Sequence, residues 1–458
     1  MSRDTATRSA LSGEASTRQL AVLIVTYKSH NLVERCLARI EKHLPELPVY
    51  VYENSGDPYP GREELAARHP DVHWVIGPVN LGFAAAANAL AEYVPADMDL
   101  LFLDADARLL GPLTRTRELL RQPGVAVVSP LVLDNDGAGP QPWDVAIRQR
   151  TLARALVSVS GYSDLLRRTP FSELHKRQPS ESVSIDGYVN SSCLAMSREA
   201  WNTLGGFDEE FFLYGDETEW QVRARAAGWR VLLADEIAIE HGGEPDGLKP
   251  THGPAVGAVE RGRNDDLMRA NIALVLEHER GVQHANAFLA GHSLLDRVQR
   301  SKRDVRRRTI ARRQSGLPEI VITTETMVDG TVERQKALLA TELDRRGYPV
   351  TVVCLKRLGA LVKEIPHTVR VVRQPWWAPA LDIAAGPAVV IAGDTAVEAW
   401  FAMLWRALGA RRRWLVAGPR PLAAALRRAD GSVVADDADA YVDAIDSVVK
   451  VGVGVTPQ

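Results

Sequence analysis

Two aspartates one residue apart, Asp104 and Asp106, stand at the end of the apolar run DLLFL. Carboxylates with that spacing, where a buried-type strand ends, can share a hard divalent cation that also grips a diphosphate. The chain holds other Asp-x-Asp pairs, Asp97/Asp99, Asp134/Asp136 and Asp437/Asp439, so the spacing alone carries little. Only the 104/106 pair directly follows an uninterrupted strand-like run. A second acidic group, Asp216, Glu217 and Glu219 in YGDETEW, opens a helical stretch. Acids in a first turn serve the helix as caps and as partners of its macrodipole. One of them facing a cleft would instead be a general base, able to take the proton of an acceptor hydroxyl. His241 ends the run EIAIEH. A lone histidine at a strand end is commonly a surface or turn residue, yet its neutral imidazole could complete a metal site built mainly from oxygen.

Two further stretches have the chemistry of a ligand pocket. Asn80-Leu81-Gly82-Phe83, with Asn88 a turn and a half later, puts a glycine where a helix begins, and free backbone amides there receive phosphate or sugar oxygens. Glu53-Asn54-Ser55-Gly56-Asp57 closes a strand with a carboxylate and turn residues. Such strand ends hold contacts to a ribose or base in α/β folds, and a plain turn fits them equally.

The elements that must position these residues are legible as alternating runs. LAVLIVTY (20–27), VYVYEN (49–54), VHWVIG (72–77) and DLLFLDAD (99–106) read as strands, with helices over 31–44 and 83–94 between them. Strands without a polar face that alternate with helices predict an α/β domain whose mainly parallel sheet is covered on both sides. Residues 134–182 are irregular, with scattered Pro, Gly and Arg. SSCLAMS (191–197) then reads as a strand, followed by a helix from about Asp216 to Ala227, closed by Gly228 at C′, and the strand WRVLLA. The basic run RVQRSKRDVRRRTIARR (297–313) precedes a fresh α/β start, EIVITTETM (319–327). The expected organisation is a tail over 1–18, a first domain over 19–295, a basic linker over 296–316 and a smaller α/β domain over 317–458. The run 297–313 reads as a solvated linker or as a contact to anionic lipid or a lipid-linked diphosphate, since each basic residue gains about 1 kcal/mol near such a surface.

At 458 residues, 46% hydrophobic and 25% charged, the composition is that of a two-domain globular protein. A formal net charge of −3 argues against a general nucleic-acid binder, which needs a clear basic excess. Cys36, Cys193 and Cys354 lie far apart without metal-ligand spacing, which fits a reducing cytoplasm. The polar N-terminal residues lack the apolar core of a signal peptide, and no stretch of 18 apolar residues appears, so the expectation is a chain neither exported nor membrane-spanning.

The order VTYKS, ENSGD, NLGFAAAAN, LFLDAD, GGFDEEFFLYGDETEW, IEHGG resembles the family 2 glycosyltransferases of GT-A fold, especially their rhamnosyltransferase-like branch and its galactofuranosyltransferase relatives, over residues 20–280. The resemblance implies an inverting transfer of a sugar, of the rhamnose or galactofuranose type, from a dTDP- or UDP-linked donor. The acceptor would be a hydroxyl of a cell-surface glycan, lipid-linked or small-molecule compound, at the inner face of a membrane or in the cytoplasm. By the same resemblance Thr26 and Tyr27 line the pyrimidine pocket, and Glu53 contacts the nucleoside. Asn80, Gly82, Phe83, Asn88 and Asp104 shape the donor site. Asp106 and Asp104 hold Mg²⁺ or Mn²⁺ with His241 as further ligand, Glu217 is the base, and Asp216 neighbours it in the acceptor site with Trp220 on the supporting helix. Arg263-Asn264 resembles a late Arg-Asn element of the branch.

Three positions depart from the family pattern. Asp-Ala-Asp replaces the usual Asn-Pro-Asp or Asp-Asp-Asp, Asp216-Glu217 inverts the usual Glu-Asp, and Glu53 replaces an aspartate. They motivate an alternative reading as a catalytically silent binding protein of GT-A fold. A nucleotidyltransferase is not supported, because VTYKSHNLVER lacks the Gly-rich basic loop it would need. The C-terminal start, IVITTETMVDGTVERQKALLATELDRRGYPVTVVCL, resembles the N-terminal half of a GT-B glycosyltransferase, which implies a Rossmann-like accessory module.

Overall fold

A computed structural model describes residues 18–451, apart from 136–139, 177–180, 243–253, 301–316, 382, 384–385, 394, 418–422 and 434–436. Residues 1–17 of the expected tail, and most of the basic run 297–313, therefore lie outside the described residues. The chain divides into two compact units, Met1–Lys249 and Pro250–Gln458.

The apolar runs of the first unit become β1 (Gln19–Thr26), β2 (Val49–Glu53), β3 (His73–Ile76) and β4 (Met98–Leu103), with β5 (Arg108–Leu109) and β6 (Val125–Asn135) following. Ala21, Val22, Leu23 and Ile24 are at most 1% exposed, as expected of a strand covered on both faces. The covering helices are α1 (His30–His43), α2 (Arg62–Arg68), α3 (Phe83–Glu92) and α4 (Thr114–Leu120). The irregular stretch resolves into β7 (Gln141–Pro142), β8 (Ala146–Ile147), α5 (Leu152–Val159), β9 (Val183–Ser184) and β10 (Tyr188–Val189). Next come β11 (Cys193–Met196), α6 (Arg198–Leu204), α7 (Asp216–Ala226) and β12 (Arg230–Gly242).

The main sheet runs β3-β2-β1-β4-β11-β6-β12-β5, with β7 and β9 attached and β8 paired to β10 apart from it. β1 to β4 are mutually parallel, and β6 is parallel to β12. β11 runs antiparallel to both β4 and β6, so the sheet is mixed rather than mainly parallel. The reason is the connection: β11 is reached through the long irregular stretch, and only a crossover helix forces a parallel return. WRVLLA and EIAIEH, read as separate pieces, are one thirteen-residue strand, β12, with register shifts between Leu233 and Ile237 and between Ile237 and Ile239. Bulges of this kind bend a strand and re-aim its later side chains, here His241.

The second unit opens with α8 (Pro254–Arg280) and α9 (Val282–Arg300), which the sequence reading had placed with the first domain. The packing explains the earlier boundary: buried Arg263 on α8 donates to the carbonyls of Val362, Ile365 and Val369, and Arg269 to that of Arg373. Six parallel strands follow: β13 (Glu319–Thr326), β14 (Val350–Arg357), β15 (Arg370–Arg373), β16 (Ala388–Ile391), β17 (Arg412–Ala417) and β18 (Gly431–Val433). With α10 (Thr331–Arg345), α11 (Ala396–Ala407), α12 (Ala423–Leu426) and α13 (Ala438–Val451) they stand in the order β15-β14-β13-β16-β17-β18. That is the 3-2-1-4-5-6 order of a doubly wound Rossmann sheet.

Candidate active site

β4 ends at Leu103, and the turn that follows carries Asp104 and Asp106. The Asp104 amide donates to Ser192 O (3.1 Å), and its carbonyl accepts from Ala107 N (3.0 Å), which fixes the turn. Beneath it the buried Cys36 thiol donates to the same Asp104 carbonyl at 3.8 Å. β12 delivers His241 opposite: its Nε2 lies 3.5 Å from Asp104 Oδ2 and 3.4 Å from Asp106 Oδ1, with its ring stacked on Trp143 at 5.1 Å between centroids. Burial pushes the His241 pKa down, but the Asp104 hydrogen bond and the charges of Asp106 and Asp104 outweigh it and leave it raised. Burial likewise raises Asp106, partly offset by His241. One atom from each of the three residues falls within 4.8 Å of the others, an oxygen-rich set with one imidazole that fits Mg²⁺ or Mn²⁺. Of the other Asp-x-Asp pairs, Asp134 stands across from His241 in the sheet, and its charge also raises the His241 pKa. Asp99 is buried and accepts from Arg198 N, and Asp437 caps the helix at Ala440 N.

Asp216 and Glu217 open α7 after Gly215, whose φ of 92° places it in the left-handed region. Asp216 is 1% exposed, one of its oxygens has no hydrogen-bond partner, and its pKa is raised well above the ordinary range by burial and by the charge of Glu217. Glu217 is half-buried. Its Oε2 accepts from Gly215 N (3.1 Å), and burial raises its pKa against the pull of backbone amides and of Asp216. The charge of Asp104 raises both acids, which puts the pair within electrostatic reach of the Asp104–Asp106–His241 cluster. Glu219, by contrast, is locked in a two-oxygen pair with Arg223, which also ties down Leu204 O and Gly206 O.

The donor-side candidates form a tight loop network. Asn54, 3% exposed, donates from Nδ2 to Asn80 Oδ1 (3.0 Å) and Gly82 O (3.1 Å) and accepts from Leu81 N (2.8 Å). Gly82 has a φ of 82°, and a Cβ there would meet Phe212 O at 2.4 Å. Thr26 is buried with its hydroxyl 2.9 Å from Ser29 Oγ, and half-buried Tyr27 lies under Lys28 at 5.0 Å. Glu53 is fully buried, accepts from Ser55 and faces Arg62 Nε at 3.7 Å. Phe83 leans on Phe207.

Two candidates hold structure. Asn88 makes a paired amide contact with Phe207, donating to its carbonyl and accepting from its N–H, both at 2.9 Å, and so clamps the loop before α7. Trp220 is fully buried, donates to Gly205 O (2.8 Å) and stacks on Trp201, so it braces α7 from the core side and offers no face to an acceptor.

Other residues stand out only in three dimensions. Gln221, one turn after Glu217, exchanges both amide atoms with the backbone of Val189 (2.8 and 2.9 Å), fastening β10 to α7. Beside it Arg150 donates to the Tyr188 hydroxyl and lies 3.8 Å from Glu173. The charge of Glu217 helps hold the Arg150 pKa raised, against burial and alongside Tyr188 and Glu173. No sequence spacing announces this group, because its members are drawn together from 38 residues apart.

The chain is similar to several known proteins. A 26% identical relative over 263 residues, covering 49% of this chain and 76% of that protein, is the N-acetylglucosaminyl-diphospho-decaprenol L-rhamnosyltransferase of Mycobacterium tuberculosis. The low-salt glycan biosynthesis hexosyltransferase Agl10 of Haloferax volcanii is 24% identical over 216 residues, covering 45% of this chain and 61% of that one. Among solved structures, GalNAc-T7 with UDP, GalNAc and Mn²⁺ matches with a TM-score of 0.40 at 13% identity, over 62% of this chain and 54% of that one. The profile described as "Glycosyltransferase like family 2" matches residues 18–251, just over half of the sequence, and the chain belongs to that glycosyltransferase family, its first unit a GT-A domain.

Proposed function

We propose that the chain is an inverting, metal-dependent glycosyltransferase that moves a sugar from a nucleotide diphosphate donor to an acceptor hydroxyl. One observation carries the reading: the half-buried Glu217 stands within electrostatic reach of the cluster formed by Asp104, Asp106 and His241. These three residues would hold Mg²⁺ or Mn²⁺, and a cation bound there supplies charge neutralisation to the departing diphosphate. The loop braced by Asn54, with Asn80, Gly82 and Phe83, borders the nucleotide sugar, as do Thr26, Tyr27 and Glu53. Glu217 takes the acceptor hydroxyl proton while that oxygen bonds to the anomeric carbon. The bond from the anomeric carbon to the diphosphate breaks on the opposite face, and its electron pair leaves with the nucleotide. One base and one in-line displacement give inversion. Asp216, buried beside it in the same first turn, has its pKa raised by burial and by the charge of Glu217 and would help position that carboxylate.

The name of the mycobacterial relative supports the rhamnose type of sugar and a lipid-linked diphosphate acceptor ahead of other glycans or small molecules, and the donor would be dTDP- or UDP-linked. Among the described residues no helix is long and apolar enough to cross a membrane, so a lipid-linked acceptor would be met at the membrane surface.

The test is Glu217→Gln. Loss of a general base lowers turnover by about 10²- to 10⁴-fold, while binding of the nucleotide sugar in Mn²⁺, followed by calorimetry, is retained. Turnover equal to wild type would remove Glu217 from the mechanism. Metal-independent donor binding would remove the cation.

A further inference from the structure

We propose that the second unit carries an anion site of its own, a cavity at the amino end of β17 that takes a phosphate-bearing ligand through Arg406, Arg412, Arg413 and Arg428. The cavity is a depression open to solvent, and its space of about 610 Å³ is within the span of small-molecule sites. Its walls are the last turn of α11 (Met403, Arg406, Ala407), the turn Gly409–Ala410, the first residues of β17 and Arg428 in the turn before β18. Ligands of doubly wound sheets enter at the carboxyl ends of the strands, where the order reverses, here between β13 and β16. This cavity lies at the other end, so the fold does not account for it.

Four arginines line the space, and among the described residues no acidic residue does. The nearest acid, Asp430, is engaged: one oxygen accepts from Arg406 Nη2 (2.6 Å) and the other from Trp414 N (2.8 Å). Each arginine is oriented by a wall contact. Arg406 Nη1 donates to Arg428 O (2.8 Å), and Arg412 Nη1 to Trp405 O (2.9 Å) with its guanidinium 4.6 Å from the Trp405 ring centroid. Arg413 Nη1 donates to Ala410 O and Arg412 O (both 3.0 Å), and Arg428 Nη1 lies 3.3 Å from Met403 Sδ. Helix-end carbonyls and the macrodipole explain Arg406 and Arg412. They do not explain Arg413 and Arg428, which bring two more positive charges to the same space. Like charges gathered around a cavity repel one another, and a bound anion reverses the sign of that term. The planar fork of arginine matches phosphate with two parallel donors, so pre-oriented forks select phosphate over a monovalent halide.

The test uses the full chain in excess EDTA, which removes the cation that a diphosphate would need at the Asp104–Asp106–His241 cluster. Titration calorimetry with inorganic pyrophosphate is expected to show binding by wild type and by Asp104→Asn/Asp106→Asn alike. Arg413→Gln/Arg428→Gln should bind about tenfold more weakly or not at all, the scale of one lost charge-assisted contact. Because Arg413 lies on a strand, Arg428→Gln alone serves as a second variant: Arg428 is exposed, and the change is expected to weaken binding without moving the melting temperature. Sedimentation with phosphatidylglycerol vesicles, relieved by pyrophosphate and reduced in Arg428→Gln, would assign the phosphate to a lipid headgroup. Pyrophosphate binding without such sedimentation would assign it to a free phosphorylated ligand. No pyrophosphate binding by wild type, or binding unaltered in both arginine variants, overturns the proposal.

Discussion

Burial that differs over a single residue separates the two adjacent acids and is what favours Glu217 as the proposed base. Asp216 is 1% exposed and Glu217 half-buried, although both sit in the same first turn. Asp216→Asn keeps the size of the buried side chain and is expected to lower turnover less than about tenfold, whereas Glu217→Gln loses about 10²- to 10⁴-fold; the reverse ranking in steady-state assays would make Asp216 the base. The raised acids also tie stability to pH. Asp106, Asp216 and Glu217 have folded-state pKa values above their ordinary ones, and so has His241. Each stabilises the fold while protonated, fully below its unfolded value, and that contribution is lost as pH rises through the folded value. Glu342, held at about 2 by Arg345 and Arg346, acts with the opposite sign in acid below the usual carboxylate range, and His175 and His43, whose pKa values burial lowers, do so through the histidine range, where the four raised groups outnumber them. Without metal the melting temperature should therefore fall from about pH 5 upward, and Mn²⁺ should restore most at the alkaline end. A metal-free melting temperature that climbs over the same range would contradict this assignment. The sequence exposed the two acids and could not rank them, because both suit a helix N-terminus equally and only packing separates them.

At the scale of elements, glycines mark where the chain passes too closely for a side chain. Gly82→Ala pairs a left-handed φ with a 2.4 Å approach to Phe212 O and should cost about 1–3 kcal/mol. Its effect should register as a lower melting temperature together with weaker nucleotide-sugar binding, since in the proposed function this loop borders the donor. Gln221→Leu leaves the buried N–H and C=O of Val189 unpaired, at about 1–3 kcal/mol for each group, and hydrogen exchange at Val189 should speed up accordingly. The strands β1 to β4, the helices α1, α3 and α7 and the DAD turn follow directly from apolar runs, a terminal glycine and residue spacing. The antiparallel β11 does not, because strand direction depends on a connection that crosses an irregular stretch. Asn88 was legible as a polar residue near a ligand loop, yet its amide faces Phe207. Its partner lies 119 residues away, and no local pattern reports such a contact.

For the whole molecule, the earlier boundary has a direct consequence. Arg263, 3% exposed, fills a nest of four carbonyls with α8 behind it, so α8 and α9 are the covering layer of the second sheet. A fragment ending at residue 249 should unfold in one cooperative step, whereas one ending at 295 carries two helices stripped of their sheet and should bind a hydrophobic dye. Equal dye binding by the two fragments would return the boundary to the basic run. The buried thiol beneath the Asp104 turn supplies a clock for this first unit. Cys36 is 1% exposed, so an alkylating reagent reaches it only when the turn lifts. Its labelling rate then counts how often the paired aspartates come apart, and each increment of bound cation should slow that clock in proportion to the occupancy it adds.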